Sequence, residues 1–290
     1  MKAAVLGSPI GHSLSPVLHI AAYRALGLTG WSYQAVECTE AGLPAFLGGC
    51  GADWAGLSLT MPLKRAVLPL LDQVEPLAAE VGGANTVTFE AGARRGHNTD
   101  VPGMIAALAA AGVRAADVAA EPALILGGGA TACSALASLR GLGAAGATVA
   151  VRDPARAAGL LAAADRLGMR VRLVPFGEDE QAGRGWRLLI STVPAGAADG
   201  YAERMPRPAR GQRFVLDVVY HPWPTLLAAA AEQAGAVAVS GFELLLHQAG
   251  PQVRLMTGRP APLAQMRAAG LAELARRAPG RAHGRAGAPR

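Results

Sequence analysis

The sequence predicts an α/β fold in two domains, and three observations predict it. Its 290 residues exceed the roughly 150 of one ordinary domain. Short β-branched or apolar runs alternate with Ala- and Leu-rich helical stretches along almost the whole length, the pattern of βα units on largely parallel sheets. One of those apolar runs, residues 123–126, passes through a glycine turn directly into an Ala/Leu helix.

Strands are expected at residues 3–6, 32–36, 56–59, 85–89, 123–126, 148–151, 171–174, 188–191, 214–218 and 236–239, with helices filling most of the gaps. The first helix, residues 17–26, has Ser15 at its N-cap, Pro16 at the first helical position and Gly27 closing it. A polar turn ending at Asp100 leads into a helix over 103–111, which places a domain boundary near 100–102. The chain crosses back near Gly235. Residues 1–101, completed by the helices of 237–275, then form one α/β domain around a continuous second domain of 102–236.

Apolar residues make up 51% of the chain, but charge, Gly or Pro interrupts every long stretch before the ~20 residues of a spanning helix. No membrane segment and no secretory leader is expected, and the location reads as cytoplasmic. Cys38, Cys50 and Cys133 are far apart and lack a His at metal-ligand spacing, so no metal site is expected. The net charge is +6, and five arginines fall in residues 276–290 with no acid among them. The body is therefore near neutral. The tail reads as a disordered, solvated end rather than a nucleic-acid contact.

Gly127-x-Gly129-x-x-Ala132 follows the strand at 123–126 and opens a helix, which is dinucleotide-binding spacing in the right context. The turn glycines, with Gly128 and Ala130, let a pyrophosphate approach the unpaired N–H groups of the helix start. The next strand ends at Arg152 rather than at an acid, and Arg156 follows one turn on. Arginines there suit a 2′-phosphate and so favour NADP over NAD, although a carboxylate on Asp153 opposes phosphate if it turns inward. Upstream, Ser13 and Ser15 bracket a helix start that can hold a carboxylate. Lys64 and Asp100 are each expected at a strand end facing one cleft, where together they can handle a proton.

These segments, in this order and spacing, resemble the shikimate dehydrogenase family from Gly7 to about Gly258. The resemblance rests on Gly-x-Pro-x-x-His-Ser-x-Ser-Pro at 7–16, Thr-x-Pro-x-Lys at 60–64, Gly-Ala-Asn-Thr at 83–86 and Asn-Thr-Asp-x-x-Gly at 98–103. The glycine loop, Asp-Val-Val-Tyr-x-Pro-x-x-Thr at 217–225 and Leu-Leu-x-Gln-Ala at 245–249 complete it. It implies a Rossmann-type NADP-binding second domain and reduction of 3-dehydroshikimate by NADPH. It further implies that Ser13 and Ser15 hold the substrate carboxylate with Tyr220 nearby, and that Thr60, Asn85 and Gln248 bind the ring hydroxyls; Ser58, where the family often has Asn, is expected to join them, donating and accepting with a shorter reach. Lys64 and Asp100 become the catalytic pair, with Lys64 the proton donor, since burial can bring an ammonium towards working pH. Thr192, Val218 and Gly241 join the glycine loop around the cofactor.

The chain departs from common family residues at Ile20, Ser58, Val151, Asp153 and Leu244. A quinate/shikimate or aminoshikimate dehydrogenase using NAD shares the same motifs, and a non-catalytic NADP-binding sensor would share the fold without needing the Lys/Asp pair. The partners expected are small molecules, with no nucleic acid and no membrane, for a monomer or homodimer.

Overall fold

The computed structural model describes residues 1–121, 123–177, 186–205 and 211–278. Its first half runs β1 (Lys2–Gly7), α1 (Ser15–Ala25), β2 (Ser32–Glu37), α2 (Leu43–Gly48), β3 (Trp54–Leu59), α3 (Leu63–Ala66), β4 (Gln73–Val74), α4 (Pro76–Val81), β5 (Thr86–Glu90) and β6 (Ala93–His97). Then come α5 (Asp100–Ala110), α6 (Ala115–Ala120), β7 (Ala123–Leu126), α7 (Ala130–Gly141), β8 (Gly146–Val151), α8 (Ala158–Leu167) and β9 (Arg170–Pro175). β10 (Leu188–Ser191), α9 (Asp199–Ala202), β11 (Phe214–Asp217), α10 (Leu226–Gln233), β12 (Val237–Ser240), α11 (Gly241–Thr257) and α12 (Leu263–Arg277) finish it.

Two six-stranded sheets result, ordered β2-β1-β3-β5-β6-β4 and β12-β11-β10-β7-β8-β9. The second is parallel throughout, and its strand order reverses between β7 and β10, which is the doubly wound arrangement. The first is mixed, because β5 runs antiparallel to β3 and to β6. The sheets are largely parallel, as expected, and only the direction of β5 departs from that pattern. β6 contains Arg94 and Arg95 and has no apolar run to announce it; it forms because Ala91 and Gly92, both at positive φ (49° and 85°), turn β5 back on itself.

Three expectations are corrected. Residues 237–239 pair with β11 in the second sheet, so the returning helices begin at Gly241. Helix α1 begins at Ser15 with Leu14 as its N-cap; the hydroxyl of Ser13 accepts the Ser15 N–H at 3.2 Å, so Ser15 lies inside the helix. Arg276 and Arg277 close α12 and pair with Glu273 at 2.7 Å, so the helix continues into the expected tail, and residues 279–290 lie outside the described residues.

α5 links the halves. One face packs on α7, with Met104 and Leu108 fully buried, which stabilises by roughly 2 kcal/mol for each side chain. The other meets α11 so closely that a Cβ on Gly103 would lie 2.6–2.7 Å from Gln248. No helix among the described residues is long and apolar enough to cross a membrane.

On the inner face of α1, His19 is fully buried, stacks on Tyr33 at 4.0 Å and places Nδ1 2.9 Å from the Ser15 carbonyl, while its Nε2 has no partner among the described residues. Burial lowers its pKa to about 4 from 6.5. Below pH 6.5 the unfolded chain takes up this proton and the folded chain does not, so the stabilisation is complete above pH 6.5 and declines towards pH 4. Lowering the pH from 7 to 5 should cost about 2 kcal/mol through this group. Urea midpoints at the two pH values should show that slope, and His19→Phe should flatten it; an unchanged slope in the variant refutes the assignment.

Candidate active site

A cavity of about 270 Å³ opens where the C-terminal ends of the parallel strands of both sheets face each other. The loop after β1 brings Ser13, and the first turn of α1 brings Ser15, to one end. Glu37 anchors that loop, accepting from the Ser8 hydroxyl at 2.5 Å and the Ile10 N–H at 3.0 Å. Across it stands Tyr220, whose hydroxyl donates to the His12 carbonyl at 3.4 Å, and Arg277 donates to the same oxygen at 2.6 Å. Tyr220 is held in place because the Asp217 carboxylate accepts from Thr225 Oγ1 at 2.8 Å and from the Val219 N–H at 3.2 Å. Thr225 also caps α10.

The floor rises from β3 and β5. Ser58 is buried at the end of β3, Thr60 follows it, and Lys64 sits on the single turn α3. Asp100 is the first residue of α5, where the helix dipole favours a carboxylate. Both therefore lie on helix starts beyond the strands rather than on strand ends, which corrects their expected placement. Lys64 Nζ lies 2.6 Å from Asp100 Oδ2, with side chains 13% and 8% exposed. This ion pair is nearly desolvated yet opens onto the cavity. Asn85 Nδ2 donates to Asp100 Oδ1 at 2.8 Å and to Gln248 Oε1 at 3.2 Å, while Asn85 Oδ1 accepts the Thr99 N–H at 2.8 Å. The Lys–Asp–Asn–Gln cluster thus joins α3, α5, β5 and α11.

The second sheet closes the cavity. Lys64 reaches Thr131 at the start of α7 (3.4 Å), and Val218 and Gly241 border the same space. Gly127 adopts φ 104°, and a Cβ there would come within 2.7 Å of Thr192 Oγ1, which donates to the Leu126 carbonyl. A Cβ on Gly128 would touch Val151 at 3.1 Å, so the glycine loop and Arg152, exposed just past β8, are neighbours. Gly129 caps α7 without a side-chain bond, leaving first-turn N–H groups for an anion. Asp153 Oδ1 accepts the Ala155 N–H at 3.0 Å, so its carboxylate caps its own turn. The side chain of Arg156 lies outside the described atoms. Among the described residues no cluster suits a metal.

Sequence reasoning missed Gln252, Tyr33 and Thr131. Gln252 lies one helical turn beyond Gln248 and was legible from that spacing; Tyr33 and Thr131 join the site only through tertiary contacts.

Residues 5–87 match the profile of the shikimate dehydrogenase substrate binding domain. An NADP(+) shikimate dehydrogenase of Thermus thermophilus is 37% identical over 286 residues, covering 97% of this chain and 99% of that one. The chain belongs to the shikimate dehydrogenase family. Within the family, the Methanothermobacter thermautotrophicus NADP(+) enzyme is 35% identical, with 89% of this chain and 92% of that one aligned. The crystal structure of the Mycobacterium tuberculosis shikimate dehydrogenase superposes with a TM-score of 0.82 at 42% identity, covering 93% of this chain and 99% of that one. A Thermus thermophilus member solved with NADP(H) and shikimate gives 0.80 at 34%, covering 94% and 99%.

Proposed function

We propose that this chain catalyses the reversible reduction of 3-dehydroshikimate to shikimate with NADPH, in the shikimate pathway of aromatic amino-acid biosynthesis. The observation that carries the mechanism is the Lys64–Asp100 pair at 2.6 Å, facing a cavity bordered by residues of both sheets. The substrate domain is residues 1–101 with the helices from Gly241, and the NADP domain is 102–236 extended by β12. Free cysteines and the absence of a spanning helix among the described residues accord with a cytoplasmic enzyme.

Ser13, Ser15 and Tyr220 offer hydroxyl donors to the substrate carboxylate at one end. Thr60, Ser58, Asn85 and Gln248 meet the ring hydroxyls. Lys64 Nζ gives a proton to the oxygen that gains charge as the carbonyl is reduced, and Asp100 holds that ammonium in line while accepting from a substrate hydroxyl. NADPH, when bound, supplies the hydride. The glycine loop of residues 127–130 fits its pyrophosphate, and Thr192, Val218 and Gly241 lie along the remaining path. Arg152, with Arg156, pairs with the 2′-phosphate, a role left open by the engagement of Asp153 in its own turn.

Steady-state assays with shikimate and quinate, each with NADP and NAD, test the reading. Shikimate with NADP should be the best pair; faster turnover of quinate with NAD overturns the choice. Arg152→Gln should cut the preference for NADP over NAD in kcat/KM by at least about tenfold, the scale of a lost charge-assisted hydrogen bond. An unchanged ratio removes Arg152 from the phosphate site.

A further inference from the structure

The buried wall behind Ser58 is a chain of side-chain hydrogen bonds whose direction is fixed. Asn85 Oδ1 faces the Thr99 N–H at 2.8 Å, so it can only accept from Thr86 Oγ1 at 3.0 Å. Thr86 has then used its proton and accepts from Gln252 Nε2 at 3.0 Å. The amide of Gln252 is oriented by that bond, and its Nε2 also faces the Asn85 carbonyl at 3.4 Å. Gln252 Oε1 therefore points at Ser58 and takes its only proton, at 3.0 Å. Tyr33 donates to Ser58 from behind at 2.7 Å, and burial pushes its phenol pKa upward, so it keeps its proton. Ser58 is left with one lone pair for the cavity and no proton.

From this we infer that Gln252 is a specificity-determining positioning residue: by holding the Ser58 proton it makes Ser58 a pure acceptor, which selects a substrate hydroxyl at that place. A group bearing only lone pairs would meet lone pair against lone pair in a nearly dry wall, where Ser58, Asn85 and Gln252 are 4%, 2% and 1% exposed. Without Gln252 the Ser58 hydroxyl turns and donates, and the discrimination disappears. Tyr33 plays a different part. Its loss removes a donor to Ser58 but leaves the Ser58 proton on Gln252.

The inference rests on the shikimate reading, and fluorine in place of the 4- or the 5-hydroxyl of shikimate tests it, because fluorine accepts weakly and cannot donate. Oxidation at the 3-hydroxyl with NADP is followed for shikimate and both analogues. At one of the two positions the unsubstituted enzyme should prefer shikimate by about tenfold or more in kcat/KM, the scale set by one unpaired buried polar group. Gln252→Met should shrink that preference at least about fivefold, and Ser58→Ala should do the same, whereas Tyr33→Phe should retain it. A loss of preference in Tyr33→Phe equal to that in Gln252→Met would mark both as packing residues and overturn the inference, as would preferences unchanged in Gln252→Met at both positions. Failure of the unsubstituted chain to oxidise shikimate rejects the proposed function itself and is distinguishable from either result.

Discussion

Replacing Lys64 with alanine should lower kcat at least about 100-fold, the usual scale of acid–base catalysis, while KM moves less than roughly threefold. Lys64 is the only lysine or arginine among the described residues bordering the cavity, and its ammonium is committed to Asp100 at 2.6 Å. Its truncation removes the proposed proton donor but none of the hydroxyls and amides proposed to bind substrate. It also leaves Asp100 Oδ2 without a protein partner in a site where its side chain is 8% exposed, so some loss of stability accompanies the loss of rate. Thermal denaturation with and without shikimate separates the two effects: a folded variant that still gains stability from shikimate but turns over slowly has lost chemistry alone. Near-normal turnover in such a variant would reject Lys64 as the donor.

Gly103→Ala should both destabilise the fold and weaken substrate binding. Its added methyl would sit 2.6–2.7 Å from the N, Cα and Cβ of Gln248, contacts that cannot be relieved by turning a side chain. The two helices must part by several tenths of an ångström or more. Overpacking of this kind costs about 1–3 kcal/mol, a fall of several degrees in Tm for a chain of this size. Because the displaced helix α11 holds both Gln248 and Gln252, KM for shikimate should rise along with the loss of stability. A variant with unchanged Tm and KM would show that α5 and α11 are not in the contact described.

The strand, glycine turn and helix of residues 123–141 were readable because every cue is local: a buried apolar run, a glycine at φ 104° and an Ala/Leu helix. β6 was not, since Arg94, Arg95 and His97 carry no apolar alternation and the strand exists through its ladder with β5. The start of α1 was misplaced by one step because two serines compete to cap it and Leu14, fully buried, decides which side turns inward. Lys64 and Asp100 were identifiable from motif order, but their placement on helix starts follows from how the chain leaves β3 and β6. The Ser58–Gln252 bond joins residues 194 positions apart, and no local pattern announces it.

The amide of Asn85 has a consequence for binding entropy. Its oxygen is held by a backbone N–H and its nitrogen by Asp100 and Gln248, so it cannot flip or change rotamer without breaking several hydrogen bonds. Freezing a rotamer-rich side chain at the moment of association ordinarily costs about 0.5–1.5 kcal/mol. Here folding has already frozen it, along with Gln252 and the lysine paired with Asp100. The pocket wall is ordered by the protein's own network, which leaves less conformational entropy to be lost when the ring arrives.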